Sequence, residues 1–318
     1  MTWESVFSGS HYDEEFHNNS HFSRSNNLNY FILNCFFHEL SPNGAVRIST
    51  TIDTAKTYVN TNKFESCSSG SQNGGSLFFG SEGQFVQTKN SFINSTNSCD
   101  GSSFYIYVSH IQSYKNHANE TLVSNCGTSE QDCSVTTNMG HGFTIMYECN
   151  ITQNRVKKWN GGYSINSIAS DSYITCVNVI ENNQSVNQIN YHSSISLTFK
   201  VTSCNYIRNK SSNNGDLISS FYSNIFMSYC FIRENKVPYI FYASLSTITF
   251  ENSTTDNSDA YSDNTASPPI FKNTDISFEN KCPLLIIPTT NNDQPIIPIK
   301  EKSQTAEIKR VMRIIRRR

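Results

Sequence analysis

The stretch Ile225-Phe-Met-Ser-Tyr-Cys-Phe-Ile-Arg-Glu-Asn-Lys236 decides how the chain is read. Ile225 and Met227 stand two apart, as inward side chains of a strand do. A small residue, Cys230, follows, then Ile232 and, three positions on, Asn235. The reading is a strand, a bend and a second strand of a repeating coil.

Working outward, the same frame fits at Cys204 (Phe199, Val201, Tyr206, Asn209), Val177 (Ile174, Val179, Asn182) and Cys149 (Met146, Ile151, Asn154). It fits less fully at Glu120 (Leu122, Asn125), then at Asn90, Asn62 and Cys35, with Cys67 in the Asn slot of the Asn62 copy. These eight anchors lie 26–30 residues apart, with degraded copies at Ile248/Phe250 and Ile276/Phe278. A period of that size marks stacked repeat units. Short apolar–polar alternation in β-branched and aromatic residues makes the units strands, not helices. A propeller blade needs ~40–45 residues, so a three-sided parallel β-helix coil is the unit that fits.

A second signal recurs downstream of the anchor, at Gly44–Ile48, Gly74–Phe78, Gly161–Ile165 and Gly215–Ile218. It reads as a glycine corner followed by a third strand. The Asn slot has two readings. Amides stacked one strand spacing apart can bond each other up a ladder, or each Asn can cap a solvated turn; the ladder is the expectation. The fold class is therefore all-β: a single-stranded right-handed parallel β-helix of 8–10 coils, roughly 40–50 Å long at one coil per strand spacing.

The composition suits a narrow core, at 36% hydrophobic and 16% charged in 318 residues. The net charge of −2 divides into +6 over residues 300–318 and −8 elsewhere. A mildly acidic body argues against nucleic acid. Of ten cysteines, Cys35, Cys149, Cys204 and Cys230 occupy anchors, where stacked free thiols are expected. Cys126 and Cys133 share the longest loop and are the candidate disulfide.

Four segments follow. Residues 1–27 read as an N-terminal cap and 28–282 as the β-helix, interrupted by the Ser/Asp/Asn run of 253–269. The prolines of 283–303 make a linker, and 304–318 a basic amphipathic tail with Ile308, Val311, Met312 and Ile315 on one side. With Lys309, Arg310, Arg313, Arg316, Arg317 and Arg318 that tail reads as a helix for a membrane surface or a partner, or as a frayed end, since so short a helix is marginal alone. Met1–Val6 lacks the basic start and apolar run of a secretory signal, and no apolar run reaches membrane-spanning length. His17 and His21 have i, i+4 spacing without the H-E-x-x-H pattern, so no metal is expected. No cofactor is implied, and a monomer is expected.

For chemistry, Gly140-His-Gly142 resembles the G-H-G tripeptide of polygalacturonases at His141. In that family N-T-D and D-D precede G-H-G, and R-I-K follows. Here Asn273-Thr-Asp275 comes after it, no Asp-Asp pair occurs and no R-I-K follows. Glycoside hydrolysis needs two facing carboxylates, so His141 is expected to be a loop histidine and the chain not an enzyme. Glu181, Arg208 and Glu234 alternate in sign at one coil position, which reads as an outer face. Tyr105, Tyr107, Tyr222, Tyr239 and Tyr242 are the candidate ligand or partner surface, since exposed tyrosines on a rigid sheet can stack on sugars or anchor a protein.

The Gly-rich signal together with Ile151-x-x-Asn154, Val179-x-x-Asn182, Tyr206-x-x-Asn209 and Ile232-x-x-Asn235 resembles the paired repeats of polymorphic membrane proteins and similar surface proteins of parasitic protists. The resemblance covers residues 28–282. It implies a pectin-lyase-like β-helix, display outside the cell and adhesion to a glycan or protein. A polysaccharide-degrading enzyme of the same fold is the alternative.

Overall fold

The computed structural model describes residues 1–128, 133–185, 187–195, 197–211, 215–256, 267–274 and 282. The quoted stretch is a strand, a bend and a strand: Asn224–Ser228, Phe231–Arg233, and then a third strand, Tyr239–Ser244. Equivalent strands of successive coils pair in parallel throughout. Among the described residues they build three long sheets of eleven, nine and nine strands, and about eight coils carry all three. The chain is an all-β parallel solenoid.

The register fixes the core. In the first sheet Ile32, Val59, Gln87, Ala118, Met146, Ile174, Val201, Met227 and Phe250 form one inward column. In the second, Phe37, Phe64 and Phe92 stack with centroids 4.9 and 4.6 Å apart, each pair adding about 0.5–1.5 kcal/mol beyond burial. The third sheet contributes Ile48, Phe79, Ile106, Met139 and Ile165.

Two bends per coil expose backbone polar groups to this dry core, and side chains satisfy them in columns. At the second bend the amides of Asn154, Asn182, Asn209 and Asn235 form a ladder. Each Nδ2 of the first three donates to the next Oδ1 at 2.9–3.1 Å, and that same Oδ1 accepts the donor's own backbone N–H. Each Nδ2 also donates to a carbonyl one coil back: Val123, Ile151, Val179 and Tyr206. Cys67 and Cys126 continue the column, their thiols reaching Phe37 O and Phe92 O. A thiol thus takes over one of the amide's two jobs, donation to the preceding coil.

The first bend repeats the device. Asn62 and Asn90 form an amide pair and donate to Ile32 O and Val59 O. Cys35, Cys149 and Cys230 donate from the same coil position to Phe16 O, Ala118 O and Val201 O, and Cys204 donates to Thr202 O. All four are free and buried, and burial pushes the thiols of Cys35 and Cys149 up to about 12. Cys149, Cys204 and Cys230 lie in one column.

Two sequence assignments shift by a residue. Leu122 pairs with Ser91 and Asn150, so Thr121, not Glu120, is the anchor of its coil. Glu120 instead shares the left-handed conformation (φ 46) of Lys89 and Glu148, its counterparts in neighbouring coils. By the same step Cys126, not Asn125, enters the second-bend column, where its N–H meets Asn154 Oδ1 at 2.8 Å.

The Cys126–Cys133 disulfide is not formed. Both are buried free thiols: Cys126 is turned into the bend column, while Cys133 contacts Asn97 Oδ1 and Val135 O. The disulfide found among the described residues joins Cys176 to Cys282. It starts from a bend residue of positive φ, one position before the anchor.

Residues 1–27 lie beside the coils as well as before them. The helix Trp3–Val6, capped by Thr2, packs Trp3, Val6 and Phe7 on Phe31, Tyr58 and Val86 of the first sheet's outer face. Lys115 Nζ donates to Val6 O. Glu14–Phe16 and Phe22–Arg24 are strands pairing with the next coil, so the solenoid starts at residue 14. His17 and His21 flank these strands apart from each other: His17 meets Glu15 Oε1 at 2.5 Å and His21 meets Gly44 O at 2.9 Å. The last described strand is Ile270–Lys272. The proline linker 283–303, the tail 304–318 and the Ile276/Phe278 copy lie outside the described residues.

A buried tyrosine–histidine cluster lies among the apolar columns. Tyr163 Oη meets Tyr206 Oη at 2.8 Å and His192 Nε2 at 3.1 Å. Burial pushes the His192 imidazole down to about 3; burial and then the charge on Lys115 push His117 to about 4.

Two outcomes test this interior. Asn182→Ala leaves the Asn154 N–H without its partner and takes from the Ile151 carbonyl the amide donor, and should lower stability by about 1–3 kcal/mol. Asn182→Cys, which retains the donor, should lose less; equal urea midpoints for the two variants would contradict the shared role of thiol and amide. Because His192 and His117 bind a proton more readily unfolded (ordinary pKa ~6.5) than folded, stability should fall as pH drops below ~6.5. The fall should be about 1.4 kcal/mol per pH unit for each histidine until its folded pKa is reached. Urea melts between pH 7 and 5 should show the loss, and His192→Gln should reduce its slope.

Candidate functional site

Alternation along the third sheet sends every second side chain outward, and parallel register stacks these into two columns. One runs Phe78, Tyr105, Asn138, Ser164, Tyr191, Ser219, Tyr242; the other Gly80, Tyr107, Gly140, Asn166, Ser193, Phe221, Ser244. From Tyr107 and Asn138 to Phe221 and Tyr242 these columns floor a trough of about 1000 Å³.

Aromatic shelves stand toward both ends; of the first, Tyr107 lines the trough, and Phe78 and Tyr105 continue the sheet face beyond it. In the first, Phe78, Tyr105 and Tyr107 form a staircase with centroid steps of 5.7 and 4.8 Å and nearly parallel rings. Arg47 caps it 4.6 Å over Phe78. Two glycines make these rings lie flat. A Cβ on Gly80 would come 2.4 Å from the Phe78 ring, and one on Gly140 would sit 2.6–2.8 Å from three Tyr107 ring atoms. In the second shelf Tyr191, Phe221 and Tyr242 meet at 5.4 and 5.3 Å with tilted rings. From Tyr107 to Tyr242 is five coils, about 24 Å at the strand spacing.

Between the shelves the floor is polar. Asn166 Nδ2 donates to Asn138 Oδ1 at 3.0 Å and to Ser164 Oγ at 2.9 Å. The rim before these strands adds Trp159, 51% exposed, with Asn187 and Gln188. Asp100 and Asp216 also line it; Asp216 is 8% exposed and accepts from Ser219 Oγ at 3.1 Å. Burial raises the phenols of Tyr105 and Tyr107, so both remain neutral donors at physiological pH.

Of the five tyrosines singled out from sequence, Tyr107, Tyr239 and Tyr242 line the trough and Tyr105 stacks beside Tyr107. Tyr222 does not join them. It is 54% exposed on the corner after the strand, at a φ of 59°. Sequence reading missed Tyr191, Phe221, Trp159, Asn138 and Asn166. Aligning the third strands coil by coil would have found all but Trp159, which precedes its strand in the variable loop.

His141 sits on the same kind of corner, with φ 64° and Gly142 beside it at φ 64°. Its ring lies 3.6 Å from that of His110 and edge-on to Tyr107 at 4.9 Å. Burial first, then the neighbouring His110, lowers its pKa. Glu181, Arg208 and Glu234 do form an outer column, with Arg208 Nε 2.8 Å from Glu181 and Arg208 Nη1 4.0 Å from Glu234. Such exposed pairs contribute under about 1 kcal/mol. The tail cations Lys309, Arg310, Arg313, Arg316, Arg317 and Arg318 lie outside the described residues. Among the described residues no helix is long and apolar enough to cross a membrane.

Comparison with family models gave no match, and comparisons with curated proteins and with solved structures gave none. What fold and geometry define is a class: a parallel β-solenoid with an aromatic-ended polar trough on one sheet face.

Gly140→Ala should lift the Tyr107 ring off the sheet and break its stack on Tyr105. Proton NMR should show those ring resonances moving while stability falls by less than about 1 kcal/mol, since the clash is with the movable end of a side chain. Unchanged ring shifts would mean the staircase is not held as described.

Proposed function

We propose that this chain is a non-enzymatic binding scaffold whose third-sheet trough holds an extended glycan. The observation that carries the reading is the pairing of aromatic shelves about 24 Å apart with an amide and hydroxyl floor between them. A sugar ring offers an apolar C–H face to a flat aromatic and hydroxyls to amide groups, so a chain of several sugars matches the alternation. The rigid ladder beneath holds the shelves at fixed spacing, which lowers the ordering cost of binding. The repeat resemblance supports display at a cell surface and adhesion as the setting.

The alternative, polysaccharide cleavage, has less support. Among the described residues the carboxylates lining the trough, Asp100 and Asp216, stand four coils apart, about 19 Å at the strand spacing. Paired glycosidase carboxylates stand ~5–10 Å apart. His141 has His110 and Tyr107 as its ring neighbours.

Affinity electrophoresis in gels containing soluble polysaccharides tests the reading. Binding should weaken about tenfold in Tyr107→Ala and again in Tyr242→Ala, the loss of one stacked ring each, with circular dichroism unchanged. Binding that survives both substitutions would place the ligand elsewhere. Reducing-sugar release that disappears in His141→Ala would establish the enzyme instead.

A further inference from the structure

We infer that, in a compartment that transfers N-linked sugar, the folded chain carries it on Asn18 and Asn94 and never on Asn150 or Asn209. All four begin an Asn-x-Ser/Thr acceptor tripeptide: Asn18-Asn-Ser20, Asn94-Ser-Thr96, Asn150-Ile-Thr152 and Asn209-Lys-Ser211. Three more begin at half-buried residues, Asn119, Asn183 and Asn252. A chain this rich in asparagine and serine contains such tripeptides by chance, so composition does not sort them. The coil does.

At the second bend the residue in the left-handed conformation turns outward and the next turns into the core. Asn94, Asn125, Gln153, Glu181, Arg208 and Glu234 hold the first position, all with positive φ and all exposed. Ser95, Cys126, Asn154, Asn182 and Asn209 hold the second, each at 0% exposure. One step along the coil therefore separates an open acceptor from a closed one. Asn94 bonds the next coil through its backbone N–H, 3.1 Å from Ser124 O, and is itself exposed. Asn209 uses both hydrogens of its amide inside, on Val179 O at 2.8 Å and Asn235 Oδ1 at 3.0 Å. Asn150 is 3% exposed, its Oδ1 accepting from Asn178 Nδ2 at 2.7 Å. Asn18 is exposed between the strands Glu14–Phe16 and Phe22–Arg24.

In the transfer, the amide Nδ2 attacks C1 of an oligosaccharide linked to polyprenyl pyrophosphate. The C–N bond forms as the C–O bond to pyrophosphate breaks, pyrophosphate leaves with the electron pair, and one amide proton passes to a base of the transferase. The product keeps one amide hydrogen and has a bulky sugar in place of the other. On Asn94 that sugar points into water. On Asn209 it removes a donor of the ladder and needs space that the column does not have. Transfer precedes folding, so a chain modified at Asn150 or Asn209 cannot complete its coils.

The experiment secretes the full chain from yeast behind a leader and makes it separately in the cytosol of Escherichia coli, where this transfer does not occur. Folded secreted protein is treated with peptide N-glycosidase in heavy-oxygen water, which turns each sugar-bearing Asn into a labelled Asp, and its peptides are read by mass spectrometry. Label should appear at Asn18 and Asn94 and be absent from Asn150 and Asn209. Thr96→Ala, which leaves Asn94 in place, should remove one glycan. Thr152→Val with Ser211→Ala removes both closed acceptors and keeps their asparagines. It should raise the secreted yield several-fold, with the bacterial yield of the same pair as the reference for any loss of stability; no gain overturns the claim that sugar there blocks folding. Secretion of the paired variant alone supports that claim, with Asn18 and Asn94 then read on it. Label at Asn150 or Asn209 in the folded secreted protein, or an unlabelled Asn94, overturns the inference. So does secretion of neither chain while the bacterial protein folds.

Discussion

Each coil of this solenoid turns corners over a dry core, and at the two that flank its second strand backbone N–H and carbonyl groups need partners. A buried polar group left alone costs about 1–3 kcal/mol, and some twenty such corners would exceed the whole stability of a typical domain. The amide and thiol columns remove that cost. Asn182 makes the point in one residue: its oxygen serves the backbone and side chain of Asn154, and its nitrogen serves Ile151 and Asn209. Because each amide reaches the coil on either side, the columns hold neighbouring coils in register. Every other stack in the molecule, from Phe37-Phe64-Phe92 inside to Tyr105 and Asn138 outside, inherits that register.

The thiols explain a feature of composition that otherwise suggests disulfides. Cys35, Cys67, Cys126, Cys149 and Cys230 each donate to a carbonyl of an adjacent coil, so oxidation would remove a donor that the bend uses. The one disulfide, Cys176–Cys282, uses a cysteine one position off the column. An even cysteine count therefore reflects the corner chemistry more than a covalent framework.

The trough depends on the same regularity in a different way. Coils in register place outward residues in straight columns, so a sheet face becomes a ruled surface with a feature every strand spacing. Where the outward residue is glycine, as at Gly80 and Gly140, a neighbouring ring lies flat against the backbone. Where it is Asn or Ser, hydrogen-bonding groups are presented. A long, shallow, low-charge site results without any loop having to be ordered over it.

Much of the fold was legible because a solenoid repeats its local rules. The alternation Ile225/Met227, the anchor Cys230 and the slot Asn235 could be read eight times over, and repetition separates signal from chance. The errors came where one copy departs. Thr121 and Cys126 were each misplaced by one residue because Glu120 and Asn125, their polar neighbours, look more like bend residues than they do. The Cys126–Cys133 pair failed for a related reason: closeness in sequence says nothing about which way a side chain turns, and Cys126 turns into the bend. The aromatic columns of the third sheet were only partly seen. Variable loops separate Tyr105 from Tyr191 and Tyr242, and their common face emerges only from strand pairing.

By itself, then, the sequence determined the period, the strand character and the identity of the corner residues, since these follow from local spacing and from the chemistry of amide, thiol and glycine. Tertiary structure decided which coil each residue belongs to at the resolution of a single position, which cysteines meet, and which outward residues share a trough. Those depend on pairing between segments far apart in the chain, where a slip of one residue turns a side chain from the core to the solvent.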